Sequence, residues 1–349
     1  MIDSINGIEY IKPTLKFSNL RISTITTTAQ LGTKLLLDSL FEQIPIIPYW
    51  DLNNGVLKME FSGKSKGVCF KDIMLKPKTT KTSFFNQATL VVRQEIQPCI
   101  WKEINVKLFR NGGVQMTGIK SMDMSSKTIR WLLRHLEETC AAKPIFESPP
   151  VLQKEEVQLV NTDFSIDAKV KRDVLHRILS ENYRLNSSYE SAIYQGVKTK
   201  YFYNAQKPAN HPPGICPCPK LCKGTGDGTK IGECKKITIS PFQTGQVIIT
   251  GARTMEQIEE GYVFIKEVFT THADSILRKQ YVLPQDTPGN AEQKAEKADK
   301  TEKAEKTEKA DKTEKADKKP ASKRVVTGWI QHPCPRNIFK INTDVLQKL

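Results

Sequence analysis

The chain has 349 residues, of which 38% are apolar, so it is long enough for one large folded domain or two ordinary ones. It has no apolar run that would span a bilayer and no basic-then-apolar leader, which excludes membrane-spanning classes and predicts a soluble, intracellular protein. Its 53 basic and 38 acidic side chains give a formal charge of +15, which favours a polyanionic partner without distinguishing DNA, RNA and acidic membrane.

The first half of the chain, 15–142, predicts one α+β unit. A strand rich in Ile and Thr is expected at 20–30, followed by an amphipathic helix at 34–44. The basic, polar segment 62–97 is expected to be an insertion that faces either flanking nucleic acid or a protein partner. A hairpin and a long helix complete the unit.

A proline-containing connector, 143–153, separates this unit from a second one at 154–275. The second unit repeats the order, with a strand at 157–166 and a helix at 168–182. A Cys-rich insertion is expected at 204–235. The two units therefore predict a domain with an internal pseudo-twofold axis.

The C-terminal part of the chain differs in composition. Segment 290–323 repeats Glu, Lys, Ala, Asp and Thr and has almost no apolar side chains, so it predicts a linker that buries nothing. It is either a solvated single helix with charge pairs at i,i+4 spacing or a mobile tether. Apolar residues return at 325–349, a tail expected to dock back or to bind a partner.

The strongest signal is an internal repeat. Residues 109–121 and 242–254 share the pattern F-x-x-G-x-V-x-[MI]-T-G-x-[KR]-[ST]. Each copy predicts a strand, a tight turn at glycine, a second strand, and a helix that begins at Ser or Thr.

Three stretches of the chain resemble the TATA-box-binding protein family. Residues 24–35 are similar to its first strand and the run entering its first helix. Residues 187–196 are similar to its S-S-Y-E-P-E-L-F-P-G, and the two hairpins match its F-x-S-G-K-x-V-x-T-G-A-K. The pattern is close to the diverged forms encoded by large DNA viruses.

This resemblance implies an α+β fold, a pseudo-twofold saddle whose curved antiparallel sheet carries helices on its convex side. The implied function is a non-enzymatic transcription initiation factor that bends double-stranded, A·T-rich promoter DNA from its minor groove. Implied protein partners are general transcription factors and RNA polymerase, with neither a membrane nor a small-molecule substrate. The site of action is the nucleus or a viral transcription compartment in the host cytoplasm.

The resemblance also implies residue roles. Aromatic wedges between base steps fall on Phe109, Tyr194 and Phe242, while the matching fourth position, near Asn53, has no aromatic. The groove-lining positions are Thr24, Thr26, Gln115, Thr117, Asn161, Ile248 and Thr250. Phosphate contacts are expected from Lys107, Arg110, Lys120 and Arg253. Core packing, strand formation and plain solvated charge are the alternative roles of these residues.

Four cysteines cluster in the second insertion: Cys216, Cys218, Cys222 and Cys234. Four thiolates within this short segment predict a structural Zn²⁺ site, which would fold a segment poor in apolar residues. The spacing is not that of a standard zinc ribbon, so free thiols in a loop remain the alternative, and His211 is a substitute ligand.

Two other function classes stay open. A nucleic-acid-processing enzyme would need additional chemistry, yet the five histidines are scattered and no carboxylate cluster accompanies them. The other class is a saddle protein that has lost DNA binding. The family's paired central asparagines align with Thr24 and with either Leu159 or Asn161, which removes donors aimed at the central base pairs.

Overall fold

The computed structural model describes residues 9–11, 15–75, 84–220, 222–278 and 280–282. It separates into two compact units, one made of Met1–Lys12 with Lys279–Leu349 and the other of Pro13–Arg278. In the first unit, strands β1 (Glu9–Ile11) and β13 (Gln280–Val282) form an antiparallel pair. The linker and tail predicted at 290–323 and 325–349 lie outside the described residues. None of the helices in the described ranges is long and apolar enough to cross a membrane.

The unit Pro13–Arg278 contains an eleven-stranded antiparallel sheet. Its first-half strands are β2 (Arg21–Gln30), β3 (Gly55–Phe61), β4 (Lys64–Gly67), β5 (Gln87–Gln97), β6 (Ile100–Phe109) and β7 (Gly113–Ile119). Its second-half strands are β8 (Gln153–Ser165), β9 (Asn186–Ser188), β10 (Lys198–Tyr203), β11 (Lys235–Pro241) and β12 (Gln246–Ala252). The helices are α1 (Leu37–Gln43), α2 (Phe70–Met74), α3 (Met122–Thr139), α4 (Arg172–Glu181), α5 (Met255–Thr271) and α6 (Ala273–Ile276).

The strand order shows the internal symmetry. It runs β4-β3-β5-β6-β7-β2-β8-β12-β11-β10-β9. Outward from the central β2–β8 pair, strands β7, β6, β5 and β3 of the first half correspond to β12, β11, β10 and β9 of the second, and β4 is an extra edge strand. The predicted fold class, an α+β pseudo-twofold saddle with a curved antiparallel sheet, is confirmed.

Alternating burial places the core on one side of this sheet. In β7, Val114 and Met116 are buried, and in β12 Val247 and Ile249 are buried at the corresponding positions. All four belong to one apolar cluster with the inner faces of α3 and α5. Because successive strand residues point to opposite faces, the residues between them must lie on the other side.

The repeated hairpins and helix starts form as their sequence predicts. Gly112 and Gly245 adopt φ of +83° and +89°, and a Cβ on Gly112 would collide with the carbonyl oxygen of Thr33. The helices that follow are capped by hydroxyls: Ser121 Oγ accepts a hydrogen bond from the Met124 backbone N–H at 3.2 Å, and Thr254 caps α5 in the same way.

The insertion predicted at 62–97 extends too far, because its last part belongs to the main sheet. Its last part is β5, which pairs with β3 and β6 and takes the place in the first repeat that β10 takes in the second. The buried alternation of Ala88, Leu90 and Val92 is the signal for this strand, and the surrounding lysines and polar residues obscured it.

Candidate nucleic-acid interface

The side of the sheet opposite α3 and α5 is called the open face here. The predicted groove-lining residues all lie on it, on the four adjacent central strands β7, β2, β8 and β12: Thr24, Thr26, Gln115, Thr117, Asn161, Ile248 and Thr250. Thr26 is nearly inaccessible, with 8% of its surface exposed, and the others are half-buried. The structure therefore brings this predicted set together on one surface.

The centre of the open face lies between the two repeats. Thr24 of β2 pairs directly with Asn161 of β8, and Thr26 pairs with Leu159. The Thr24 hydroxyl accepts a hydrogen bond from the Gly118 backbone N–H at 3.2 Å. Asn161 Oδ1 is buried and has no hydrogen-bond partner among the described residues.

Two aromatic side chains meet at the outer end of the second repeat. Phe242 pairs across the sheet with Gly196, and the rings of Tyr194 and Phe242 lie 5.6 Å apart between centroids. A Cβ at Gly196 would lie 2.8 Å from the Tyr194 ring and 3.1 Å from that of Phe242, so glycine is needed for this contact. Lys198 Nζ lies 4.2 Å from the centre of the Tyr194 ring.

The first repeat has a matching pair, which corrects the expectation of a missing fourth aromatic near Asn53. Gln87 pairs with Phe109 as Gly196 pairs with Phe242, and Phe85 precedes Gln87 by the same two positions by which Tyr194 precedes Gly196. Phe85 is 67% exposed. Asn53 instead lies in a turn before β3, where its side chain and backbone amide bond to Asp51.

Basic side chains occur in matched places in the two repeats. Lys120 and Arg253, two residues beyond each Thr-Gly pair, are exposed. Burial and the nearby charge of Lys120 lower the pKa of Lys102, and burial and the charge of Arg253 lower the pKa of Lys235 in the same way. Sequence reasoning missed Lys102 and Lys235, whose signal was their identical offset in the two repeats. Both lie on the helix side of the sheet, since Lys102 is two positions from buried Ile104 and Lys235 is two positions from buried Ile237.

The two other predicted phosphate contacts are placed differently. Arg110 is bound within the protein, with an ion pair to Asp38 at 2.8 Å, a hydrogen bond from Nε to the Phe85 carbonyl and a ring contact with Phe61. This guanidinium therefore anchors the backbone at Phe85. Lys107 is half-buried on the open face, in register with Gln115.

Comparison with known proteins agrees with the geometry. No protein-family model matches the chain. The chain is 29% identical, over 276 residues, to "TATA-box-binding protein-like" of Acanthamoeba polyphaga mimivirus, covering 76% of this chain and 69% of that one. The predicted resemblance to the TATA-box-binding proteins is confirmed. A solved structure, "Methanococcus jannaschii TBP", aligns with 74% of this chain and 99% of its own at 16% identity and a TM-score of 0.40.

Part of the sheet is covered on its open side. Helix α2 is tied to the first repeat by an ion pair between Lys58 and Asp72 at 2.6 Å and by the Phe70 backbone N–H, which donates to the Glu103 carboxylate at 3.2 Å. Arg93 is 5% exposed, lies 3.8 Å from a Glu103 carboxylate oxygen and donates to the Tyr49 carbonyl. The accessible open face of the first repeat is therefore the part nearer Phe109.

A group of four cysteines between β10 and β11 can hold a metal ion. The sulfur atoms of Cys216, Cys218, Cys222 and Cys234 all lie within 4.8 Å of one another. Cys218 Sγ and Cys234 Sγ are 3.3 Å apart, close to the roughly 3.8 Å edge of a tetrahedron with Zn–S bonds of about 2.3 Å. The Gly232 backbone N–H donates to Cys218 Sγ at 3.0 Å. His211 bonds the Ile215 carbonyl and lies outside this group.

Proposed function

We propose that the protein is a transcription initiation factor that binds A·T-rich promoter DNA through the minor groove and bends it. The observation that carries this proposal is the placement of Phe85 and Phe109 in the first repeat, and of Tyr194 and Phe242 in the second, at equivalent positions of the strand pairing. Apolar side chains that wedge between base steps kink DNA, as is established for the TATA-box-binding proteins.

The surface between the aromatic pairs suits the minor groove. A·T pairs present only acceptors there, so hydroxyl and apolar contacts fit better than a reading of charge. Thr117, Thr250 and Ile248 supply such contacts. Lys107, Lys120 and Arg253 would neutralise phosphates and make the affinity fall with salt.

The proposed role is assembly without catalysis. General transcription factors and RNA polymerase would bind the exposed convex side once DNA is bent, in the nucleus or in a viral transcription compartment. The name of the mimivirus relative supports this role, and the alignment covers 69% of that protein.

Fluorescence anisotropy with A·T-rich and G·C-rich duplexes across a salt series, together with end-to-end energy transfer for bending, tests the proposal. Wild type should prefer and bend A·T-rich DNA, and a variant with Phe109→Ala and Phe242→Ala should lose bending far more than non-specific association. Absence of binding would favour an interaction protein, and cleaved or modified DNA would favour an enzyme. Normal bending by the double variant would refute the wedge roles.

We also propose that the four-cysteine group holds a structural Zn²⁺. Thiolate ligands and backbone N–H donors to sulfur fit a closed tetrahedral site. The metal would fix the segment between β10 and β11, which contacts α5 where the Gln257 amide donates to the Asp227 carbonyl at 2.6 Å. Metal analysis of the purified protein should find about one zinc per chain, and less than half an equivalent would contradict it.

A further inference from the structure

The two central strands break the pseudo-twofold symmetry in charge. Ile248 and Gln115 hold the same position in the repeated hairpin pattern. Ile248 pairs with Asp163, and Asp163 pairs in turn with Arg21. On the other side of the centre, Gln115 pairs with Thr28, which pairs with Glu156. The symmetry therefore exchanges a guanidinium for a carboxylate on the open face.

The second-repeat side of the centre presents a cation held in place. Arg21 Nη2 lies 2.7 Å from Asp163 Oδ2, and the Gln246 amide donates to the same oxygen at 3.0 Å. The Arg21 side chain is 71% exposed, whereas that of Asp163 is 12% exposed. The carboxylate thus orients the guanidinium while most of its N–H donors face outward.

The first-repeat side presents an acceptor. The Gln158 amide bridges the Thr28 hydroxyl at 2.9 Å and a Glu156 carboxylate oxygen at 3.3 Å. Glu156 is exposed. An ionised carboxylate accepts hydrogen bonds and donates none. The two sides of the centre therefore differ in hydrogen-bonding sense as well as in charge.

Minor-groove chemistry distinguishes these two sides. A·T pairs offer only the acceptors A N3 and T O2, and G·C pairs add the guanine N2 amino donor. Narrow A·T-rich grooves also have an enhanced negative potential that attracts arginine. Arg21 therefore matches A·T pairs, whereas Glu156 is repelled by their acceptors and can accept from guanine.

We propose that Arg21 and Glu156 fix the direction in which the protein sits on DNA, with the second repeat over an A·T-only half-site and the first repeat over a half-site carrying G·C beside the centre. This inference rests on the proposed minor-groove binding. In this inference Arg21 and Glu156 on the central strands set the direction of binding, whereas the aromatic side chains at the ends bend the DNA.

Site-directed crosslinking of the full-length protein reads the direction. A photoreactive side chain replaces either Asn111 or Thr244, which are exposed residues at equivalent places in the two hairpin turns. The probe is a duplex with one half-site of A·T pairs and G·C pairs beside the centre of the other half. The Asn111 version should label the G·C-side end over the opposite end by about fivefold or more, and the Thr244 version should show the reverse.

Two variants and one matched control test the cause. Arg21→Gln with Glu156→Gln should bring the ratio close to one. Exchange of the equivalent pairs, by Arg21→Glu, Asp163→Thr, Thr28→Asp and Glu156→Arg, should invert it. Asp123→Asn with Lys127→Gln removes one acid and one base from an exposed ion pair on α3, and should leave the ratio as in wild type.

Bending of the same duplex, measured in parallel, separates the two proposals. If wild type neither binds nor bends it, the proposed function fails. If wild type bends it but labels both ends equally, or if Arg21→Gln with Glu156→Gln keeps the preference, the orientation inference is overturned while the proposed function stands.

Discussion

Replacement of Phe85 by alanine tests the aromatic position that the strand register assigns. Complete burial of a phenylalanine side chain contributes about 1.5–3 kcal/mol. Because Phe85 is 67% exposed in the free protein, DNA binding can still bury about two-thirds of it, a gain of about 1–2 kcal/mol. Phe85→Ala should therefore weaken DNA binding roughly 5- to 30-fold and reduce bending. The free energy of unfolding should change by no more than about 0.5 kcal/mol.

Val263 of α5 supplies the control, since its apolar side chain is 61% exposed. Val263→Ala should leave DNA affinity and bending as in the wild type, because α5 packs on the side of the sheet opposite the open face. Anisotropy gives the affinity, energy transfer gives the bend, and denaturant unfolding gives the stability of each variant. An equal or larger loss with Val263→Ala, or no loss with Phe85→Ala, would refute the role assigned to Phe85.

Three further outcomes are expected. Thr254→Ala removes the hydroxyl cap and capping box of α5 and should cost about 1 kcal/mol, lowering the Tm by roughly 2–4 °C; an unchanged Tm would contradict the role of the cap. Because burial and then Lys120 lower the pKa of Lys102, the unfolded chain holds the proton of this amine more tightly than the folded protein does. The free energy of unfolding of the wild type should therefore rise relative to that of Lys102→Met as pH rises toward 10.5, the ordinary lysine value; parallel pH profiles in denaturant unfolding would contradict this. Cys234→Ser should lower the zinc content and increase proteolysis between β10 and β11, whereas Cys140→Ser, a buried thiol outside the group, should leave the zinc content unchanged.

The sequence by itself determined the features that short segments encode. The hairpin turns at Gly112 and Gly245 and the helix starts at Ser121 and Thr254 follow from glycine conformation and hydroxyl capping. Each is a local preference repeated in both halves, so the comparison of the two copies was enough to predict a pseudo-twofold α+β fold.

Only the tertiary structure decided which residues face one another. The pairing of β5 with β6 places Phe85 relative to Phe109 as Tyr194 is placed relative to Phe242. The pairing of β2 with β8 puts Arg21 and Glu156 at positions related by the pseudo-twofold symmetry. The β2–β8 register also shifts at several points, so counting residues along either strand does not give the partner. The physical reason is that register depends on hydrogen bonds between distant segments, and a slip of one residue turns every side chain to the other face.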